Sequence, residues 1–258
     1  MATEQQEKWA HSLAQWAIPA AIIEEASESP WIHPPAMFGV PEKIEMTPSH
    51  VQALAAMPDG GSVLDVGCGG GIAAFALVPP ARHVIGVDHQ PEMLEMFSAN
   101  AKSRGVAAEV YGGFWPEVAG QVPPADVVAT HHVVYNVPNI GPFIRELDVH
   151  ARKRVVIEMP RRHPLSSMSE AWKYFWKLDR PLGPTSADLM AVLEELGIRA
   201  EVENWDGALR VEPDLAAAAK FMRIRLCLPP QREAEVREFL AYSPMPLTRE
   251  LATIWWDK

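Results

Sequence analysis

The chain is short of cysteine, of basic residues and of long hydrophobic runs. It has only two cysteines in 258 residues, Cys68 and Cys227, which are too few for a disulfide framework or a cysteine-rich metal site. Its longest apolar runs, such as 72–80, fall far short of the ~20 residues that a membrane-spanning helix needs. Residues 1–25 hold four glutamates and one lysine, so they do not resemble a secretory signal. These absences predict a reduced, cytoplasmic protein with no membrane segment and no metal centre.

Positive charge is also scarce. Lysine and arginine number 23 against 33 acidic residues, which gives a net charge of -10. A nucleic-acid binder needs a basic surface to neutralise phosphates. The two basic clusters, 152–154 and 161–163, span three residues each and are typical of solvated strand or helix ends. The charge balance therefore disfavours a nucleic-acid partner.

What the sequence does contain is the composition of a globular protein, with 48% hydrophobic and 22% charged residues. Residues 1–58 predict a helical N-terminal cap, with one helix over Lys8–Ile23 followed by a proline-rich segment over 30–48. From residue 62 onward, short apolar runs alternate with helical patterns, which is typical of a parallel sheet with crossover helices. The predicted strands cover 62–66, 83–88, 108–111, 126–130, 154–158, 198–205 and 251–256. Predicted helices cover 90–104, 139–150, 166–180 and 186–196, with two more flanking 229–230.

The strongest local signal follows the first predicted strand. Gly67, Gly69 and Gly71 alternate there, a pattern that lets the backbone turn tightly and approach a ligand at a helix N-terminus. The spacing differs from the G-x-G-x-x-G of dinucleotide folds, because Ile72 stands where the third glycine would be. Asp88 closes the second strand, where a carboxylate can accept hydrogen bonds from both hydroxyls of a ribose. A plain turn and a helix N-cap are the structural alternatives.

In this combination of glycine loop, strand-tip acid and fourth strand, the chain resembles the class I S-adenosylmethionine-dependent methyltransferases over residues 60–205. The resemblance implies a doubly wound, mostly parallel seven-stranded sheet of Rossmann-like type, with strand order 3-2-1-4-5-7-6. Helical caps are implied at the N-terminus and after strand five. The residues it implies as contacts to S-adenosylmethionine are Asp65, Gly67, Gly69, Gly71, Asp88, His89, Met93, Gly113, Phe114, Thr130 and His131.

Within that resemblance, the loop from Asp65 to Gly71 would wrap the methionine part of the cofactor. Asp88 would bind the ribose. His89 and Met93 would pack on the adenine, and the backbone carbonyls near Thr130 and His131 would take the amine. Many family members have an Asp after strand three. This sequence has Gly112-Gly113-Phe114-Trp115 instead, so backbone groups or a stacking Phe114 would substitute. The segment 131–138 is also similar to a group of actinobacterial methyltransferases.

Candidate catalytic residues follow strands four and five. His132 comes just past strand four, next to the expected methyl group, and an imidazole suits removal of a proton from a hydroxyl. Tyr135 and Glu158 are expected to line the same acceptor pocket. Adjacent residues leaving a strand point in opposite directions, so His131 and His132 are not expected to bind one metal ion. Structural roles for His132 and Tyr135 remain open, and His33 and His163 are further candidates.

Tryptophan is plentiful before and after the predicted cofactor half. Trp9, Trp16 and Trp31 lie in the N-terminal cap, and Trp172 and Trp176 lie after strand five. In this fold those regions commonly cover the acceptor. They therefore predict an aromatic lid, with ordinary core packing as the alternative.

These observations predict one methyltransferase domain over 1–258, made of a cap (1–58), a cofactor-binding half (59–160) and a lid with the last strands (161–258). The predicted function is methyl transfer from S-adenosylmethionine to a small molecule, at oxygen. The alternatives are methylation of RNA or protein and a cofactor-binding protein without transfer activity. A nicotinamide-dependent dehydrogenase is more distant because the third glycine is missing. No motif specifies the acceptor or the oligomeric state.

Overall fold

A computed structural model describes residues 2–31, 38–209 and 214–258. The strands are β1 (Ser62–Val66), β2 (His83–Asp88), β3 (Ala107–Gly112), β4 (Ala125–His131), β5 (Ala151–Pro160), β6 (Glu201–Ala208) and β7 (Thr248–Asp257). The helices are α1 (Glu4–Ala14), α2 (Ala20–Glu24), α3 (Pro48–Ala56), α4 (Ile72–Phe75), α5 (Pro91–Arg104), α6 (Ile140–His150), α7 (Ser169–Trp176), α8 (Ser186–Glu195), α9 (Leu215–Arg225) and α10 (Glu233–Tyr242). The candidate His33 lies outside the described residues.

The strands form one seven-stranded sheet in the order β3-β2-β1-β4-β5-β7-β6. β1 to β5 pair in parallel, whereas β7 runs antiparallel to both β5 and β6. The predicted fold class and strand order are therefore confirmed. In a sheet of this kind, ligands bind at the carboxyl ends of the strands where the strand order reverses, here between β1 and β4.

Local sequence explains the elements at that edge. In β1, residues 63–66 are buried on both faces, as expected for a central parallel strand. Pro91 occupies the first turn of α5, which buries Met93, Phe97 and Ala101 on one face. Gly105 ends the helix with a φ of +64°, in the left-handed region that glycine adopts without strain.

The prediction of one helix over 8–23 is wrong. The structure has two helices, and the chain turns between Ala14 and Ala20. Pro19 explains the break, because its ring has no N–H to donate and clashes with the preceding turn. Trp16 therefore lies outside both helices. The Trp16 indole donates to the Gly183 carbonyl (2.5 Å), in the segment that precedes α8.

Other boundaries also differ from the sequence prediction, and β5 and β7 are both longer than predicted. The helix expected over 166–180 is a short 3₁₀ turn over Pro164–Met168 followed by α7, which ends where Lys177 takes a φ of +53°. β6 begins at Glu201, later than expected. Ile198 packs against the core from the preceding loop. Because most of β6 is exposed at the sheet edge, its burial pattern gives little signal.

Helices cover both faces of the sheet. α3, α4 and α5 pack on one face, and α6 and α8 pack on the other together with α1. α7, α9 and α10 form a separate helical cluster around buried residues such as Trp172 and Leu226. None of the helices within the described ranges is long and apolar enough to cross a membrane.

The segment 38–47, called the strap below, joins the N-terminal cap to α3. At its start, the Phe38 carbonyl lies so close to Gly70 that a Cβ there would be 2.1 Å from the oxygen. In its middle, Arg104 Nη2 donates to the Pro41 carbonyl (2.8 Å). At its end, Thr47 precedes α3. The strap therefore runs from the glycine loop to the carboxyl end of β5.

Candidate active site

The glycine loop after β1 has a backbone that other residues would strain. Gly67, Gly69 and Gly71 have φ values of +72°, +49° and +97°. A Cβ on Gly67 would also lie 2.4 Å from the Val133 side chain. The loop is held to β2 because the amides of Gly67 and Cys68 both donate to the Val87 carbonyl (2.8 and 3.0 Å). The predicted tight turn beside the strand ends is present.

Asp88 links this loop to the tip of β2. Its Oδ2 accepts from the Gly69 amide (3.0 Å) and its Oδ1 accepts from the Gln90 amide (3.0 Å). The side chain is buried yet lies at the strand end. A carboxylate has lone pairs beyond those two bonds, so it can still accept from a diol.

Asp65 is a different kind of acid. Burial raises the pKa of its carboxyl to about 8, and the nearby charge of Asp88 adds to that rise. Its one hydrogen bond, accepted from the Ala74 amide (3.2 Å), only partly opposes the effect. At neutral pH Asp65 is therefore mainly a neutral acid that can donate a hydrogen bond.

The residues predicted to meet an adenine lie together beyond β2 and β3. The rings of His89 and Phe114 stack with centroids 4.6 Å apart. Phe114 is 60% exposed, so its outer face is free for contact. Met93 is buried in α5, the helix that follows His89. The Gly113 amide donates to the Asp88 carbonyl (3.0 Å), which holds the β3 end against the β2 end.

Two histidines and a glutamate meet at the ends of β4 and β5. His131 pairs with Glu158 in the parallel register, and the His132 amide donates to the Glu158 carbonyl (2.8 Å). His132 Nε2 lies 3.1 Å from Glu158 Oε1, and His131 Nδ1 lies 4.0 Å from the same oxygen. The expectation that the two histidines point apart is therefore wrong. His132 has a φ of +61°, which takes it out of the strand conformation on which that expectation relied.

Sequence reasoning missed a second group of polar residues, at the start of α3. The Thr47 hydroxyl donates to Glu158 Oε2 (2.8 Å), and the Thr47 amide donates to His50 Nδ1 (3.1 Å). Ser49 and His50 are both buried, and the His50 ring lies 5.3 Å from the His131 ring. The sequence signal that could have pointed to this group is Thr47 before Pro48, which predicts a helix start. The next two residues, Ser49 and His50, are polar, and the helix they begin packs on β5.

The charges in this cluster are unequal. Burial alone would raise the pKa of Glu158, but the two histidines and the hydroxyl of Ser49 outweigh it, so that pKa lies below its usual range. Burial lowers the pKa of His131 to about 3 and also lowers that of His50, although Glu158 opposes both shifts. One carboxylate thus lies near the neutral imidazoles of His50 and His131 and the hydroxyls of Thr47 and Ser49.

The nitrogens of His132 have different surroundings. Arg249 Nη2 lies 3.2 Å from Nε2, which also faces Glu158. His132 Nδ1 is buried and has no hydrogen-bond partner within the described residues. Glu158 can only accept and lies slightly nearer to Nε2 than the donor Arg249, and a proton on Nδ1 would leave a buried donor unpaired. The favoured tautomer therefore has its proton on Nε2, donated to Glu158, and a bare Nδ1.

Tyr135 lies on the same side as this cluster. Burial raises the pKa of its hydroxyl to about 12, with Arg249 opposing and Glu158 reinforcing the rise. Its ring meets the edge of His163 (5.8 Å), and His163 stacks on Trp16 (4.1 Å). Burial lowers the pKa of His163 to about 4. Tyr135 is therefore a neutral hydroxyl donor next to an aromatic wall from the cap.

Only part of the predicted aromatic lid lies next to Tyr135. Trp9 and Trp172 pack in the interior, whereas Trp31 is 53% exposed. Trp176 donates to the Leu226 carbonyl (2.7 Å) within the helical cluster. Of the five tryptophans singled out, Trp16 is the one that joins the residues around Tyr135.

Comparisons with known proteins agree with this arrangement. Residues 63–153 match the family model described as a methyltransferase domain. The chain is 33% identical over 83 residues to a ubiquinone biosynthesis O-methyltransferase of Azorhizobium caulinodans, which is 32% of this chain and 33% of that protein. It is 35% identical over 89 residues to a ribosomal protein L11 methyltransferase of Vibrio campbellii, which is 34% of this chain and 30% of that protein. The chain thus spans about a third of the length of these curated relatives.

The fold is also similar to that of a solved structure. The YcgJ protein of Bacillus subtilis superposes with a TM-score of 0.56 at 17% identity, over 81% of this chain and 97% of that chain. The likeness to actinobacterial members stays a prediction. The matched segment holds the glycine loop, Asp88 and the β4 end, which are the features expected of an S-adenosylmethionine site. Residues 63–153 of the chain therefore carry a methyltransferase domain.

Proposed function

We propose that this protein transfers a methyl group from S-adenosylmethionine to a hydroxyl of a small molecule, with His132 as the general base and Glu158 as its orienting acid. The observation that carries the proposal is the bare, buried Nδ1 of an imidazole whose Nε2 lies 3.1 Å from a carboxylate. A base held by an acid through its other nitrogen is the arrangement that activates hydroxyl nucleophiles in many enzymes.

The residues at the strand ends suit the cofactor. Three glycines in the left-handed region give the backbone a close approach that a Cβ would block. Asp88 offers acceptor lone pairs for a ribose, and the exposed face of Phe114 suits an adenine. Asp65 to Gly71 and the carbonyls of Thr130 and His131 would take the methionine part. When bound, the cofactor supplies an electrophilic methyl group on a sulfonium.

The residues of the chain then handle one proton. An acceptor hydroxyl becomes a stronger nucleophile as its proton moves to His132 Nδ1. Glu158, whose pKa lies below its usual range, stabilises the imidazolium that forms and holds it by Nε2. Tyr135, with its hydroxyl protonated at neutral pH, does not act as a base, and its hydroxyl can hydrogen-bond the acceptor, so it is assigned an orienting role. A positioned base contributes about 10²- to 10⁴-fold to the rate.

Several features support a small-molecule acceptor. The net charge is -10, and two arginines of the basic clusters are paired with acids, Arg154 with Asp257 and Arg161 with Glu250. The two cysteines are free thiols, in keeping with the proposed cytoplasmic location. One relative acts in ubiquinone biosynthesis and another on a ribosomal protein, so a protein acceptor is the second candidate. The proposal that oxygen is the methylated atom rests only on the assignment of His132 as a general base.

The test has two stages. The protein is incubated with deuteromethyl-labelled S-adenosylmethionine and a metabolite extract of its source organism, and new labelled compounds are found by mass spectrometry. With that acceptor, His132→Ala should lower kcat by about 10²- to 10⁴-fold, while the Kd of S-adenosylhomocysteine stays unchanged. His132→Asn, which tolerates the left-handed backbone, controls for strain. His83→Ala, on a histidine paired with Glu109 at the opposite end of the sheet, should leave kcat unchanged.

Two results would contradict the proposal. If the His132 variants turn over within about threefold of wild type, well below the contribution of a positioned base, His132 is not the base. If the cofactor binds but no labelled product forms from extract or protein fractions, the chain is a binding protein without transfer activity.

A further inference from the structure

The two oxygens of Glu158 have different partners, and one comes from the far N-terminal part of the chain. Oε1 faces His132, whereas Oε2 accepts from the Thr47 hydroxyl (2.8 Å) across 111 sequence positions. Thr47 also stands at the end of the strap, immediately before α3. A hydroxyl has one proton to donate, and Thr47 gives that proton to Glu158.

Thr47 is itself held in place. Its amide donates to His50 Nδ1, and the His50 side chain is 2% exposed in the first turn of α3. One residue on, Pro48 begins that helix. Ser49 adds a second attachment, because its hydroxyl lies 2.6 Å from the Thr253 hydroxyl on β7. The donor that reaches Glu158 is therefore fixed by a rigid element and not by a free loop.

We propose that Thr47 is a positioning residue for methyl transfer: it fixes the rotation of the Glu158 carboxylate, and so keeps His132 in the tautomer that leaves Nδ1 bare. This inference rests on the proposed function. The terminal torsion of a glutamate has broad minima. Ser49, the other hydroxyl that reaches this carboxylate, is shared with Thr253, so without the Thr47 hydroxyl on Oε2 the carboxylate can turn away from His132.

Rotation of the Glu158 carboxylate would change the protonation of His132 because Arg249 lies next to the same nitrogen. Its Nη2 lies 3.2 Å from His132 Nε2, and a guanidinium can only donate. If Glu158 turns away, Arg249 can donate to Nε2, and the imidazole proton then resides on Nδ1. The bare nitrogen that would accept the proton of the acceptor is lost. Thr47 thus decides between two partners that compete for one nitrogen.

The kinetic test uses three variants with the acceptor that the labelling experiment identifies. Thr47→Val keeps the shape and removes the hydroxyl, and it should lower kcat about tenfold, as loss of a supporting contact typically does. The Kd of S-adenosylhomocysteine should not change. Thr47→Ser restores a hydroxyl and should recover most of the activity. Thr185→Val is the matched control, because Thr185 also precedes a helix and its hydroxyl bonds Asp188, away from this cluster.

Glu158→Gln separates positioning from a general structural effect. If Thr47 acts through the Glu158 carboxylate, Thr47→Val should reduce kcat in the wild-type background and cause no further loss in Glu158→Gln. Equal losses in both backgrounds would overturn the inference, because Thr47 would then act independently of Glu158.

A second measurement needs no acceptor. Nitrogen-15 NMR of the imidazole side chains reports which ring nitrogen carries the proton. Wild type and Thr47→Ser should show His132 protonated on Nε2, and Thr47→Val should show a larger share on Nδ1. An unchanged tautomer and an unchanged kcat in Thr47→Val, with His132→Ala strongly impaired, overturn this inference alone. If His132→Ala is also active, the proposed function itself fails.

Discussion

The two ends of the active-site edge are built in different ways. The cofactor end, at the glycine loop and Asp88, uses backbone conformation and amides from one strand-loop-helix-strand unit. The acid–imidazole end, around Glu158, uses side chains from the strap, β4, β5 and β7. The first depends on residue types at short, regular spacing. The second depends on the topology that brings distant segments together, so a sequence reveals the first far more readily.

The contrast extends to the two buried acids, one at each end. Burial raises the pKa of Asp65 to about 8, and its neighbour Asp88 reinforces the shift. Glu158 is buried too, but its histidine and hydroxyl neighbours take its pKa below the usual range. The same functional group is thus held neutral at one end and ionised at the other, and the neighbouring residues decide which.

The largest expected effect is at the cofactor end. Gly67→Ala forces a Cβ to 2.4 Å from Val133 in a left-handed backbone, and strain plus overpacking should cost about 2–5 kcal/mol. The control is Gly105→Ala, which has a φ of +64° and no atom within 4 Å of a Cβ. Urea denaturation and calorimetry with S-adenosylhomocysteine should show loss of stability and binding for Gly67→Ala. Similar losses in both variants would show that the loop has no special requirement for glycine.

The next effect separates binding from chemistry. Asp88→Ala should weaken S-adenosylmethionine binding by about 2–4 kcal/mol, because two hydrogen bonds to a charged acceptor are lost. Asp126→Ala removes a part-buried carboxylate that accepts from Ser62 at the opposite end of the sheet, so it controls for loss of an acid contact away from the cofactor. Titration calorimetry provides the measurement. An unchanged Kd in a folded Asp88→Ala protein would exclude Asp88 from the ribose site.

The smallest expected effect is on how the free energy of unfolding depends on pH, and it compares one buried group at each end. His163 has a pKa of about 4 in the fold against 6.5 for the free side chain, so the folded state binds fewer protons and loses stability as pH falls through that window. Between pH 7 and pH 5 the loss is about 2 kcal/mol. Urea denaturation at both values should show that the change in unfolding free energy from pH 7 to pH 5 is less favourable in wild type than in His163→Phe by about that amount.

Asp65 should give the opposite sign in the same experiment. Its pKa of about 8 in the fold exceeds the ordinary 3.8, so the folded state binds more protons and the stability that this group contributes is lost as pH rises between these values. Asp65→Asn should remove that loss. If both variants change the pH dependence in the same direction, the two ends do not differ in charge state as described.

The fold was predictable because alternation of apolar runs and helices is a local property. The glycine spacing and Asp88 were predictable for the same reason. Thr47, Ser49 and His50 were not, because a threonine before a proline predicts a helix start whether or not an acid lies opposite. The direction of His132 was mispredicted, since strand alternation ends where its φ becomes positive. Pro19 was the sequence signal for the break between α1 and α2. The single helix was predicted because apolar residues keep helical spacing on both sides of that proline.

The strap has a consequence for protein engineering. It touches the glycine loop at Phe38 and the acid at Thr47, so the N-terminal cap is not an interchangeable module. A chimera that takes residues 1–58 from a relative would replace the contact to Glu158 along with the N-terminal helices. A junction placed before residue 38 would exchange α1 and α2 and leave the strap with its parent sheet. Crossover points chosen this way would let the N-terminal helices be varied while the contacts around Glu158 are inherited intact.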